Sequence, residues 1–364
     1  MRIKLFTLLI IVVSFSCKKA DFNKELELKS DAPATPIVEP VFGNFTSKSI
    51  LASTPFTINN IVPANNNLYI VGNFSSLATA SSRAIVTYDG TSFSAVSNNF
   101  LSGSSIRTVE YFNNRLLIGG SFATSTTTGT RYFGYFSGTS LATYSAIVAP
   151  VYSFYNSGTE CYMGGYGMLM TSPSRNVASF NLSSALSSYG STMVSGYTTT
   201  NAMASFNGTI FMGGDYTAIA EKNIVYDNGG VWQKSGLGFS DLVSDLEVYN
   251  NKLYAGGNMN YTGDYTTPMN FVNYLTSVSG TWQKAGTNNL PGYCYSLTTH
   301  NGILYAAGGA TIGYLYRYDA ATDTWVNATP AISGLSRLEK IVSFAGKLYG
   351  LEISGSTTNF IRFD

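Results

Sequence analysis

Strand-like runs recur along this chain in pairs, each pair joined by a tight Asn/Gly turn and each second run closing on small residues. The clearest copies read YFNNRLLIGG (Tyr111 to Gly120), SFNGTIFMGG (Ser205 to Gly214) and VYNNKLYAGG (Val248 to Gly257). More divergent copies are PANNNLYIVG (Pro63 to Gly72), YNSGTECYMGG (Tyr155 to Gly165), HNGILYAAG (His300 to Gly308) and FAGKLYGLE (Phe344 to Glu352). Their last residues stand at 72, 120, 165, 214, 257, 308 and 352, at intervals of 48, 45, 49, 43, 51 and 44. A period of 40 to 50 residues built from strands predicts a β-propeller, all-β, with seven four-stranded antiparallel blades. Six or eight blades follow if one divergent copy is misjudged.

Each unit resolves into four strands, a to d. In the second unit, strand a is expected over Ser104 to Phe112, a turn at Asn113-Asn114, and strand b over Arg115 to Gly120. Asn-Asn and Asn-Gly pairs accept the positive φ that a type I′ hairpin turn requires. Strand c is the alternating segment RAIVTYDG (Arg83 to Gly90), KNIVYDNGG (Lys222 to Gly230) or YLYRYDAAT (Tyr314 to Thr322), and strand d opens on Phe93, Trp232, Trp282 or Trp325. The glycines closing strand b let neighbouring blades and the following chain approach closely. The last unit stops at a strand c, NFIRFD (Asn359 to Asp364), while NFTSKSILAS (Asn44 to Ser53) precedes the first and matches a strand d. The N-terminal strand is therefore expected to complete the final blade and close the ring, leaving no open edge.

Composition adds two constraints. The chain is 45% hydrophobic with 26 Tyr and 22 Phe, enough for packed sheets. From residue 42 onward it carries 15 Lys+Arg and 15 Asp+Glu, so no basic stripe exists to neutralise phosphates. Nucleic acid is excluded as a partner on that ground, and a monomer is expected.

The first residues read as an address. Arg2 and Lys4 precede an apolar run of 11 residues, Leu5 to Phe15, too short to span a bilayer and suited to a signal-peptide core. Ser14-Phe15-Ser16-Cys17 resembles a bacterial lipobox, with Ser14 where an aliphatic residue is usual. The resemblance implies a signal peptide over 1–16 and lipidation of Cys17; an ordinary cleaved signal with an incidental Cys is the alternative. Residues 18–41 carry nine charges in 24 positions plus Pro33, Pro36 and Pro40, a tether unable to bury a core. Lys18, rather than Asp, follows Cys17. The expectation is an outer-membrane lipoprotein, held to the membrane by the anchor alone, with a tether over 17–41 and a propeller over 42–364.

LYAGG (Leu253 to Gly257) and YDAATDTW (Tyr318 to Trp325) resemble the kelch and galactose-oxidase type of repeat, across roughly residues 42 to 364. SFNLSS (Ser179 to Ser184) departs from the pattern, with no Tyr-Asp and no following Trp. The copper-radical chemistry known in that family needs several His ligands and a Tyr crosslinked to Cys, and this chain has one His, His300, beside a turn. No copper or other cofactor is expected. Cys161 and Cys294 fall in distant blades and read as buried free thiols rather than a disulfide.

Two function classes remain. Aromatic and amide groups on the loops after strand b suit a glycan or a protein partner, and these loops share one face with the d–a connections. Tyr216, Tyr261, Tyr265, Asp264 and Asp215 are the candidate contacts, with Asp241 in the d–a connection leading into blade five. Phe74, Phe122 and Tyr216 recur at one repeat position, which suits packing between blades better than ligand contact; Tyr261 and Tyr265 have no counterpart. The alternative is a carbohydrate-active enzyme, a glycosidase or lyase, using Asp215, Asp241, Asp245 or Asp264 on that face. Turn caps and strand ends account for the same carboxylates, and Asp89, Asp227 and Asp319 read as turn chemistry between strands c and d. The favoured reading is a non-catalytic binding or scaffold propeller. Cys17→Ser is expected to abolish labelling by a lipid analogue and release the protein from the membrane fraction; membrane retention of the variant would count against the anchor.

Overall fold

The computed structural model describes residues 44–364 apart from 97–99, 126–128, 168, 172–173, 191–197, 217–221 and 311. The segments expected as signal peptide and tether, with Cys17, lie outside the described residues. Asn44–Asp364 forms one compact unit. Its strands assemble into seven four-stranded antiparallel sheets, the blades. Strands a, nearest the channel, are Thr57–Ala64, Ser105–Phe112, Val151–Asn156, Thr199–Phe206, Val243–Tyr249, Cys294–His300 and Arg337–Phe344 in blades one to seven. A two-stranded hairpin, Met170–Thr171 with Ser174–Arg175, interrupts the b–c connection of blade three. The fold is the expected seven-bladed propeller.

The turn residues act as their chemistry dictates. Positive φ is taken by both residues of Asn65-Asn66, Asn113-Asn114, Asn207-Gly208, Asn250-Asn251, Asn301-Gly302 and Ala345-Gly346, as type I′ hairpins require. The c–d turns are tied by carboxylates: Asp89 Oδ1 accepts from the amides of Thr91 and Ser92, each at 2.8 Å, and these bonds hold its pKa far below the usual carboxylate range. Asp227 and Asp319 accept in the same way from Gly230 N (2.7 Å) and Ala321 N (3.0 Å).

Every strand a carries a bulge one residue wide at the same place. In blade five Val243 pairs with Gly257 and Asp245 with Gly256, which leaves Ser244 unpaired. The same slip isolates Asn59, Arg107, Tyr152, Asn201, Tyr295 and Glu339 in the other blades. This crossing explains the paired glycines, which serve two separate needs. A Cβ on Gly214 would lie 1.8 Å from the Thr199 carbonyl oxygen, where strand a bends across strand b. A Cβ on Gly213 would lie 2.4 Å from Val243 Cγ1, contributed by the next blade. In blade seven the second position is Glu352, whose buried carboxylate accepts from Ser336 N (2.9 Å) and pairs with Lys48.

Seven hydrophobic clusters lie between blades, one at each interface. The cluster joining blades four and five unites Phe211 and Ile224 with Val243, Leu253 and Trp282. Trp282 Nε1 also donates to Ser235 Oγ (3.0 Å) and Trp325 Nε1 to the Ala285 carbonyl (2.9 Å), each tryptophan reaching back to the preceding blade. Blade three has no tryptophan. Its Tyr189 packs on Tyr162 (4.7 Å between ring centroids) and on Trp232 (6.0 Å) instead.

Closure follows the expected route. Lys48–Thr54 pairs antiparallel with Thr357–Phe363 as strand d of blade seven. Lys48 binds the buried Glu352, Ser49 Oγ donates to Asp364 Oδ2 (2.9 Å), and Phe45 packs on Tyr305, Phe363 and His300. His300 is buried, with Nδ1 2.9 Å from Ser343 Oγ, and burial lowers its pKa. Cys161 and Cys294 are free, buried thiols whose pKa values burial raises. Deletion of residues 42–54 is expected to lower the melting temperature by more than about 10 °C, since a strand and its ion pair leave together. An unchanged transition in differential scanning calorimetry would remove the closing role of this strand.

Candidate functional site: the channel mouth

The bulge decides what faces the central channel. The seven unpaired residues (Asn59, Arg107, Tyr152, Asn201, Ser244, Tyr295 and Glu339) line one polar cavity of about 300 Å³ together with Asn60 and Lys340. Each blade contributes one of the seven. They stand next to the start of strand a, so the cavity opens on the face that also carries the d–a and b–c connections.

Side chains near these positions stitch neighbouring blades together. Asn59 Nδ2 donates to Ser105 Oγ (2.9 Å) and the Ile106 carbonyl (2.7 Å); Asn201 Nδ2 donates to the Val243 carbonyl (3.2 Å). Beneath the mouth, Asp245 Oδ2 accepts from Ser296 Oγ (2.9 Å), Leu297 N (3.0 Å) and Lys340 Nζ (2.8 Å), which joins blades five, six and seven. Glu247 lies lower on the same strand, accepts from Thr299 N (2.9 Å), and burial raises its pKa.

Two arginine–tyrosine pairs flank the opening. The Arg107 guanidinium lies 5.4 Å from the Tyr152 ring centroid and that of Arg337 lies 5.9 Å from Tyr295. Arg337 also pairs with Glu339 at 2.5 Å. From Tyr295 an aromatic ladder runs outward through Tyr293 (6.4 Å between centroids) to Phe271 (5.8 Å), beside a cleft of about 620 Å³ that Ile312 also lines.

The sequence-derived candidates sit elsewhere on this face or below it. Tyr261 and Tyr265 are exposed, with ring centroids 6.5 Å apart on one loop of blade five that also holds Asp264. Asp264 Oδ1 accepts from Thr262 Oγ1 (2.6 Å), Thr266 Oγ1 (2.8 Å) and Thr266 N (3.2 Å), and those bonds lower its pKa. It shapes the turn that lifts Tyr265. Asp241 caps Leu242 N (2.7 Å) and accepts from Asn258 Nδ2 (2.7 Å), fastening the d–a to the b–c connection. Asp215 is exposed at the end of strand b in blade four. Tyr216 is fully buried with its hydroxyl 2.7 Å from Thr200 Oγ1, and Phe74 and Phe122 are buried likewise. Of the acids weighed for catalysis, Asp241, Asp245 and Asp264 thus spend their carboxylates on loops and on the network between blades. Among the described residues no three His, Cys, Asp or Glu side chains gather into a metal-holding group.

The mouth residues escaped repeat matching because their chemistry differs from blade to blade. Their spacing does not: each stands 13 residues before the last residue of its strand-b motif, from Asn59 before Gly72 to Glu339 before Glu352. Asp245→Asn is expected to lower stability by about 2–4 kcal/mol, because Lys340 then loses its carboxylate at a half-buried site. Asp264→Asn preserves the turn and leaves the urea midpoint in place. Equal midpoints for the two variants would contradict the roles given to these carboxylates.

No family model matches this chain, and no curated protein is recognisably similar to it. Solved structures are. A chain of the mitotic checkpoint complex superposes with a TM-score of 0.60 at 13% identity, over 98% of this chain and 100% of that one. The extracellular domain assigned to a hybrid two-component system of B. thetaiotaomicron gives 0.59 at 13% identity, over 87% of this chain, which spans 39% of that one. The computationally designed Ika8 protein gives 0.52 at 11% identity, over 88% and 100%. At such identities the likeness is one of fold, and it places this chain among the β-propellers.

Proposed function

We propose that this chain is a non-catalytic binding or scaffold propeller that takes a glycan or protein partner on the face bearing its d–a and b–c connections. The observation that carries this reading is the ring of seven bulge side chains. They are free of the ladder, chemically diverse, and gathered from all blades into one polar cavity. Binding rather than turnover is favoured because Asp241, Asp245 and Asp264 are committed to turns and to the stitching between blades. The extracellular placement of the B. thetaiotaomicron domain accords with the lipobox-like segment ending at Cys17, and we infer display on the outer membrane through that anchor. The partner would then meet a closed ring of seven blades held near the membrane.

The test is binding of the full chain to arrayed glycans and peptides, repeated with Ser244→Trp, which fills the mouth, and with Ala321→Trp on the opposite face. Specific signal lost only in Ser244→Trp is expected. Signal that survives in this variant moves the site away from the mouth, and signal lost equally in Ala321→Trp moves it off this face.

A further inference from the structure

We infer that the partner is a polypeptide that inserts a carboxylate into the channel mouth while apolar side chains beside it rest on the surrounding rim. The inference rests on the binding face argued above and names what that face takes.

The charge balance at the mouth points to a carboxylate. Two cations line the opening, Arg107 and Lys340, and a third, Arg337, stands at its edge over Tyr295. Two of them have acidic partners: Arg337 pairs with Glu339 at 2.5 Å and Lys340 with Asp245 at 2.8 Å. Arg107 makes one long hydrogen bond, from NH1 to Asn59 Oδ1 at 3.4 Å, and otherwise rests over Tyr152. Its side chain is exposed into the cavity, so a guanidinium fork held in place by a ring faces the opening without an anion. Arg337 Nε, buried at the edge of the mouth, has no hydrogen-bond partner. One buried acceptor on the same wall, Asn60 Oδ1, lacks a donor. The complement to this set is a carboxylate with an N–H beside it, which an acidic residue and its own backbone amide supply.

The rim points to a polypeptide rather than a sugar. Thirteen large hydrophobic side chains are exposed among the described residues, and nine of them belong to d–a or b–c connections. They include Phe56, Leu101, Val148, Leu237, Tyr293 and Ile312, the last 80% exposed. Two, Leu182 and Val231, lie on the connections of the opposite face, where the Asn/Gly turns stand. Exposed apolar groups concentrated on one side of a disk and ringing a polar centre are the layout of a protein-docking surface. Four of the nine, Leu101, Val148, Leu237 and Ile312, are aliphatic and give a sugar no ring on which to stack, while the aromatic ones suit a polypeptide equally well. The aromatic faces nearest the centre, Tyr152 and Tyr295, are covered by guanidinium groups. A peptide with an acidic residue flanked by aliphatic or aromatic ones matches both zones.

The test uses random peptides displayed on phage, selected on the full chain and counter-selected on Ser244→Trp. Enriched sequences are expected to carry Asp or Glu next to Leu, Ile, Val or an aromatic residue. For a selected peptide, Arg107→Ala is expected to weaken binding about 10- to 100-fold by fluorescence anisotropy, as loss of a hydrogen-bonded charge pair does. The acid-to-amide change in the peptide should cost the same, and the two changes together no more than either alone. Arg107→Gln serves as a second variant, with melting temperature as the check on folding. Enriched peptides without a carboxylate, or full affinity in both Arg107 variants, would overturn the inference. Silence from peptides beside a glycan signal that Ser244→Trp removes would also overturn it while leaving the binding face in place. Silence from both probes would bring down the binding face itself.

Discussion

One backbone crossing per blade organises this molecule. Strand a slips by a residue and bends across strand b, so that its carbonyl occupies the space of a side chain. Only glycine fits beneath it in six blades, as the 1.8 Å approach at Gly214 makes plain. The same slip sends one residue out of the ladder and into the channel. The adjacent glycine, Gly213, then seats the residue that precedes the next blade's bulge, Val243. The curvature of strand a, the seating of the next blade and the lining of the mouth thus stem from one local event repeated seven times.

What the sequence displays is therefore what the crossing constrains. Turn asparagines and the glycine that closes strand b repeat because each answers a geometric demand that recurs from blade to blade, and with the strand-d aromatics they made the blade number and the closing strand legible. Tyr216 was legible only in part. Its recurrence with Phe74 and Phe122 signals packing, and its full burial against Thr200 agrees with that half of the reading. The mouth was not legible by similarity. Asn59, Arg107, Tyr152, Asn201, Ser244, Tyr295 and Glu339 share no chemistry, and a search for matching residues passes over them. Arg107 and Arg337 stand in different registers of the repeat, yet Arg337 reaches the mouth's edge through Glu339 and Tyr295. Position, not identity, carries that signal.

Stability is distributed in the same modular way. Seven apolar clusters lie between blades, so each blade depends on two neighbours and the ring has no single centre. Blade seven differs in being assembled from both ends of the propeller. It is also where a buried ion pair, Lys48 with Glu352, replaces the second glycine. An unpaired Glu352 would be costly in that setting, so the pair favours the arrangement in which the N-terminal strand is docked. The carboxylate acts there as a check on closure more than as a source of net stability.

The division between constrained and unconstrained positions also explains why the fold is shared at identities of 13% or less. A propeller asks for turns that accept positive φ, room at the crossing, and apolar faces between blades, and several residues satisfy each demand. The bulge residue answers none of them. It has no ladder partner and its side chain borders a solvent-facing cavity, so its replacement leaves the hydrogen bonding within the sheet intact, although Asn59 and Asn201 also tie their blade to the next one. Seven such positions on a rigid ring give the chain a recognition surface whose chemistry is set independently of its architecture. Arg107 illustrates the point: its cation is held in place by Tyr152 from the neighbouring blade, at a site the fold itself leaves open. Function in this molecule is read from residues that the strand ladder leaves unpaired.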